Sequence, residues 1–258
     1  MTTPALAITA LDVRLGDLHI LRGVDLEVPF GDVHALMGPN GSGKSTLCHA
    51  LMGKPGYEAT GSALVGGSEV LGLAVDERAR LGLFEAFQYP VEVPGVALAE
   101  LLEEMAAIGG PQISSRAATT APRLDMERFM DRPVNVGLSG GEKKRSEMLQ
   151  LGALAPRVAI LDEIDSGLDI DAVREVAEMV EAMRGPDLGV LVITHYSRIL
   201  RYLAVDRVHV MVAGRIVKSG GPELAEELEA TGYDTLINEF GPGSDAEPAV
   251  SDSFLDGL

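Results

Sequence analysis

The chain is poor in cysteine, in positive charge and in long apolar runs, and each shortage closes off a class of protein. Cys48 is the single cysteine in 258 residues, so no intramolecular disulfide framework can form and a reducing compartment is expected. Lys and Arg number 21 against 39 Asp and Glu, a formal net charge of -18. That balance argues against a non-specific grip on nucleic-acid backbones, which needs basic residues in excess on one face. No apolar stretch approaches the roughly 18 residues of a spanning helix, and the start Met1-Thr2-Thr3-Pro4 lacks the basic opening of a signal peptide. A cytoplasmic protein with no direct membrane insertion is expected. Internal repeats of fixed period are also missing, which excludes solenoids and propellers.

A hydrophobic fraction of 46% with 23% charged residues is that of a globular chain able to bury a sizeable core. Alternating apolar residues from Leu6 to Val28 read as antiparallel β-structure, closed by the turn Pro29-Phe30-Gly31-Asp32. A short buried strand is predicted at Val33–Met37, then a Gly-rich loop, then a helix from about Lys44 to Met52. The stretch Leu81–Phe87 reads as another core strand leading to Gln88. From about Pro94 to Asp131 the pattern is helical, with Leu98, Leu101, Leu102 and Met105 on one face. Strands at Val158–Leu161, Val190–Ile193 and around Val208–Val212 alternate with helices, the signature of a mostly parallel sheet. After Lys218 there is no Lys or Arg, whereas ten Asp and Glu follow. The last stretch, 241–258, mixes Gly, Pro, Ser and Asp and is expected to be a disordered acidic tail.

Gly38-Pro39-Asn40-Gly41-Ser42-Gly43-Lys44-Ser45, followed by Thr46, fits G-x-x-x-x-G-K-[ST] between an apolar strand and a helix. The glycines let backbone N–H groups wrap phosphates, Lys44 reaches the β and γ groups, and the Ser45 hydroxyl can ligate Mg²⁺. The Val158–Leu161 strand ends in Asp162-Glu163, two carboxylates at a strand terminus where open α/β sheets bind ligands. Asp162 is the candidate Mg²⁺ support and Glu163 the candidate general base for the attacking water. Leu138-Ser139-Gly140-Gly141-Glu142 is a second anion site: Ser139 can cap a helix, Glu142 completes the capping box, and the glycines expose bare N–H groups. Gln88 can ligate Mg²⁺ or sense the γ-phosphate, His195 can contact the γ-phosphate, and Ser166-Gly167-Leu168-Asp169 resembles a loop that crosses between protomers.

These elements, in this order, resemble ATP-binding-cassette (ABC) ATPases, and the Ser139 element is the one that kinases and GTPases lack. The resemblance implies an α/β P-loop NTPase fold: a RecA-like core, an N-terminal antiparallel β-subdomain and an inserted helical subdomain. It divides the chain into a discontinuous catalytic lobe, 1–90 and 155–240, a helical lobe at 91–154, and the tail at 241–258. Longer strings narrow it further. Phe87-Gln88-Tyr89-Pro90, Asn135 through Arg145, Leu161 through Asp171, and Ile193 through Leu200 are similar to the SufC family, the ATPases of the SUF iron-sulfur cluster assembly machinery. That resemblance implies ATP and Mg²⁺ as ligands, SufB- and SufD-like scaffold proteins as partners, and pairing with a second copy on ATP binding. The alternative is the ATPase subunit of an ABC transporter. Leu15 stands where many cassettes place an adenine-stacking aromatic, and Cys48 is expected to be a buried packing residue.

Overall fold

A computed structural model describes residues 3–194 and 198–240. In chain order the elements are β1 (Leu6–Leu15), β2 (Leu18–Val28), β3 (Val33–Met37), α1 (Lys44–Met52), β4 (Tyr57–Val65), β5 (Ser68–Glu69), α2 (Val75–Arg80), β6 (Leu83–Ala86), β7 (Val93–Ala97), α3 (Leu98–Gly109) and α4 (Gln112–Thr120). There follow β8 (Pro133–Val134), α5 (Gly140–Leu154), β9 (Val158–Asp162), α6 (Ile170–Met183), β10 (Gly189–Ile193), β11 (Arg207–Val212), β12 (Arg215–Gly220), α7 (Glu223–Thr231) and α8 (Asp234–Phe240). Among the described residues no helix is long and apolar enough to cross a membrane.

The six-stranded sheet runs β12-β11-β3-β10-β9-β6, parallel throughout except for the β11–β12 hairpin. Strands β3, β9 and β10 are buried at every position, because both sheet faces are covered. The alternation of a strand sends Leu36, Ile160, Leu191 and Ile193 to one face. There they meet α1 and the antiparallel sheet β2-β1-β4-β5. Ala35, Met37, Leu161 and Val192 go to the other, against α5, α6 and the helices between β7 and β8. Leu161 is fully buried, whereas Ile170 at the start of α6 is 58% exposed. Leu161→Ala should therefore destabilise by about 2–5 kcal/mol in urea unfolding, while Ile170→Ala should stay within about 0.5 kcal/mol.

Turns lock the layers together around the first phosphate-binding loop. Gly214, between β11 and β12, accepts from Arg22 N and donates to Ser42 O at 2.8 Å. A Cβ at Gly214 would lie 1.8 Å from Ile20 O, so only glycine lets the β2 backbone approach. A Cβ at Gly38 would likewise meet Met211 O at 2.2 Å.

Several elements differ from the sequence expectation. Pro94 lies in a strand, β7, rather than opening a helix, because β7 pairs antiparallel with β8 nearly forty residues on. Asn135 Nδ2 donates to Val91 O at 2.8 Å and ties the same two segments. Strand β12 and helix α8 were not anticipated; both have weak apolar periodicity, and α8 has no buried residue. The proposed tail, 241–258, lies outside the described residues.

Candidate active site

The loop between β3 and α1 is built for an anion. Gly41 and Gly43 adopt φ of 75° and 110°, a region costly for residues with a Cβ, and Gly43 caps α1 with no side-chain partner for the helix N–H groups. Lys44 is buried and its ammonium donates to Gly38 O at 2.8 Å and Pro39 O at 3.0 Å, folded back along the loop. Burial lowers its pKa, and the nearby Glu163 and Asp162 charges oppose that shift. The Ser42 hydroxyl is buried without a hydrogen-bond partner, whereas Ser45 and Asn40 face solvent and Thr46 is half-buried. A bare helix start, a lysine held along the loop and an orphaned hydroxyl fit a polyphosphate.

Beside this loop stand the carboxylates. Asp162 ends β9, nine-tenths buried, with Oδ1 unpartnered. Burial and the adjacent Glu163 charge push its pKa up to about 6, although Lys44 and Lys144 pull the other way. A carboxylate so placed is relieved by a cation, which suits a Mg²⁺ position. Glu163 turns the chain through the left-handed region, φ 41°, and its N–H donates to Ile193 O at 2.8 Å. Its Oε2 accepts from Gln88 Nε2 at 2.7 Å, so the second residue after β6 and the first after β9 meet across the sheet end. Asp165, fully buried, accepts from Thr194 Oγ1 and takes Arg198 as an ion-pair partner at 3.9 Å. His195, proposed from sequence, lies outside the described residues.

Ser139 caps α5 in the expected box: Glu142 Oε2 accepts from Ser139 N and Oγ, each at 2.8 Å. Those bonds hold the Glu142 carboxyl below its ordinary range. Ser139 and Gly140 are exposed, and the hydrogen bonds of Ser139 with Glu142 stay within its own cap rather than reaching the phosphate loop.

Sequence reasoning missed a clamp. Lys144 and Glu147, one turn apart on α5 and both buried, grip the backbone of a single residue on both sides: Lys144 Nζ donates to Phe87 O, and Phe87 N donates to Glu147 Oε1 at 2.8 Å. The two side chains also pair with each other at 3.1 Å, while burial moves the lysine pKa down and the glutamate pKa up. Phe87 precedes Gln88, so α5 holds the Gln88 loop directly. The i, i+3 spacing of Lys144 and Glu147 was the available signal, and it is indistinct because Lys143 and Arg145 flank the lysine.

The ABC transporter family matches residues 21–166, more than half of the chain. The chain belongs to the ABC transporter ATP-binding-domain family. A 49% identical relative, "Vegetative protein 296" of Bacillus subtilis, aligns over 93% of this chain and 96% of its own length. A probable ATP-dependent transporter of Synechocystis is 46% identical over 92% and 97%. Among solved structures, cbiO1 of Clostridium perfringens, part of the ABC transporter complex cbiONQ, superposes with a TM-score of 0.72 at 25% identity, covering 93% and 96%. An ABC transporter cassette in its ADP conformation gives 0.75 at 23%, covering 92% and 98%, and shows the shared fold alone. This ABC ATPase is accordingly an ATP-binding subunit with the cassette fold anticipated above: P-loop core, antiparallel β-subdomain and helical part.

Proposed function

We propose that this cassette is a SufC-type ATPase: a cytoplasmic subunit that pairs with a second copy on binding MgATP and drives conformational change in a SufB/SufD-type scaffold for iron-sulfur cluster assembly. In this reading residues 1–90 and 155–240 form the catalytic lobe and 91–154 the helical lobe. Gly38 to Thr46 cradle the phosphates, and Ser139, Gly140 and Gly141 of the second copy complete the site. Ser45, Asp162 and Gln88 hold Mg²⁺, which neutralises charge on the β and γ phosphates. Glu163, oriented by Gln88, draws the proton from the attacking water, and His195 contacts the γ-phosphate.

The observation that carries the coupling is an exposed apolar strip. Phe87, Tyr89, Val91 and Val93 are 46%, 72%, 64% and 39% exposed, and the first two directly flank Gln88 in the chain. The Lys144–Glu147 clamp ties the base of this strip to α5. Movement of Gln88 or of the Ser139 helix therefore reaches the strip, and apolar surface of this kind is suited to a protein partner. Tyr89→Asp combined with Val93→Asp should abolish co-purification with SufB- and SufD-like proteins while leaving ATP binding intact. Unchanged co-purification would move the interface elsewhere. The transporter reading is favoured by the names of several relatives, among them a probable ABC transporter ATP-binding protein of Streptococcus pyogenes at 49% identity. Recovery of a polytopic membrane protein from the native cells, instead of two soluble, mutually similar partners, would establish it.

A further inference from the structure

Behind the phosphate loop, three potential metal ligands converge from three elements. Cys48 lies on α1, Glu85 on β6 and Asp162 at the end of β9, and one ligand atom of each lies within 4.8 Å of the other two. The register explains the meeting. Glu85 pairs with Ile160 in the parallel β6–β9 ladder, and Ile160 and Asp162 lie two residues apart on the same sheet face, the face that packs against α1. Cys48 is on the side of α1 buried against that face.

The cluster is unusual for a core. Cys48 is wholly buried, and Glu85 and Asp162 are each more than nine-tenths buried. Among the described residues Asp162 Oδ1 is buried without a hydrogen-bond partner, and burial together with the Asp162 and Glu147 charges pushes the Glu85 carboxyl pKa up to about 7. Neighbouring Lys44 attracts Asp162 electrostatically, but its ammonium hydrogen-bonds to Gly38 O and Pro39 O rather than to either carboxylate. Two buried carboxylates side by side are costly as a charged pair, and either a proton or a cation between them relieves that cost. A neighbouring sulfur adds a soft donor, which selects against Mg²⁺ and for thiophilic divalent ions.

We propose that Cys48, Glu85 and Asp162 form a binding site for a thiophilic divalent cation of the Zn²⁺ or Fe²⁺ type. The Cys48 thiol gives up its proton to solvent on binding, and the metal takes one sulfur and two carboxylate ligands. Cys48 and Glu85 take no part in the proposed Mg²⁺ position, but Asp162 is common to both. Occupancy would then withdraw Asp162 from MgATP and shut off hydrolysis, a consequence that rests on the functional reading above.

The test uses the full, tag-free chain without nucleotide and Co²⁺ as the probe. Wild-type protein should bind equimolar Co²⁺ with a thiolate-to-cobalt charge-transfer band, which Zn²⁺ displaces and which Cys48→Ser lacks. Glu85→Gln and Glu85→Leu should each weaken Co²⁺ binding by at least the roughly 10- to 100-fold that loss of an outer-shell partner costs, with circular dichroism confirming that both are folded. Absence of the band in the wild type, or unchanged Co²⁺ affinity in both Glu85 variants, would overturn the site. In a separate arm, micromolar Zn²⁺ should inhibit ATP hydrolysis by the wild type and not by Cys48→Ala. Equal inhibition of the two would remove the link through Asp162. Because the cobalt measurement needs no ATP, its failure is distinguishable from failure of the ATPase assignment.

Discussion

Glu163→Gln is expected to bind MgATP and lose about 10²- to 10⁴-fold in hydrolysis, the range a positioned general base contributes. The substitution is close to isosteric. Gln88 Nε2 donates to Glu163 Oε2 at 2.7 Å, and the carbonyl oxygen of a glutamine can accept that bond in place of the carboxylate. The φ of 41° and the N–H bond to Ile193 O belong to the backbone and are kept. What disappears is the proton acceptor and one negative charge beside the phosphates, so ATP should accumulate in the paired state. Equilibrium binding and single-turnover hydrolysis separate the two effects. Near-normal hydrolysis would assign the base elsewhere. Lys44→Ala should act at the other step and weaken nucleotide binding itself, since it removes a buried cation laid along the phosphate loop.

Mixing two inactive variants should restore activity if each ATP lies between the phosphate loop of one copy and the Ser139 helix of the other. Lys44→Ala spoils phosphate binding, and Ser139→Arg blocks the partner's γ-phosphate, so each variant ruins both sites of its own homodimer. In a mixed dimer one site collects both lesions while the other is intact. Random equal mixing gives about half mixed dimers with one good site each, so about a quarter of wild-type sites should return when sites act independently. Ser139→Arg also removes the α5 cap, a loss of about 1 kcal/mol, which a domain of this size should absorb. Trapping of nucleotide in a Glu163→Gln background reads the sites without requiring turnover. No recovery of trapping despite demonstrated mixed dimers would mean that each chain closes its own site. The exposure of Ser139 and its engagement only with its own cap favour the shared arrangement.

The phosphate loop, the strand ending in Asp162-Glu163 and the Ser139 capping box were legible in the sequence because each is a local device. Strand, glycines and helix follow one another without interruption from Val33 to Met52. The capping box is complete within four residues. Buried strands β3, β9 and β10 announce themselves as short, mainly apolar runs, broken by His34 in β3 and closed by Asp162 in β9, since a sheet covered on both faces leaves little polar alternation.

Tertiary structure alone decided what depends on contacts across long separations. Strand β7 exists because β8 pairs with it, and β12 because β11 offers it an edge; neither carries the signal in its own residues. The Gln88–Glu163 bond spans 75 residues, and the clamp on Phe87 spans 60 and 57. Cys48 read as a packing residue, and it is buried as expected; its neighbours could not be read. Glu85 and Asp162 are 77 residues apart in the chain and meet only because β6 and β9 lie side by side under α1. Local propensity and periodicity act over a few residues, whereas which side chains face one another is settled by strand order and register, and those exist only once the sheet has formed.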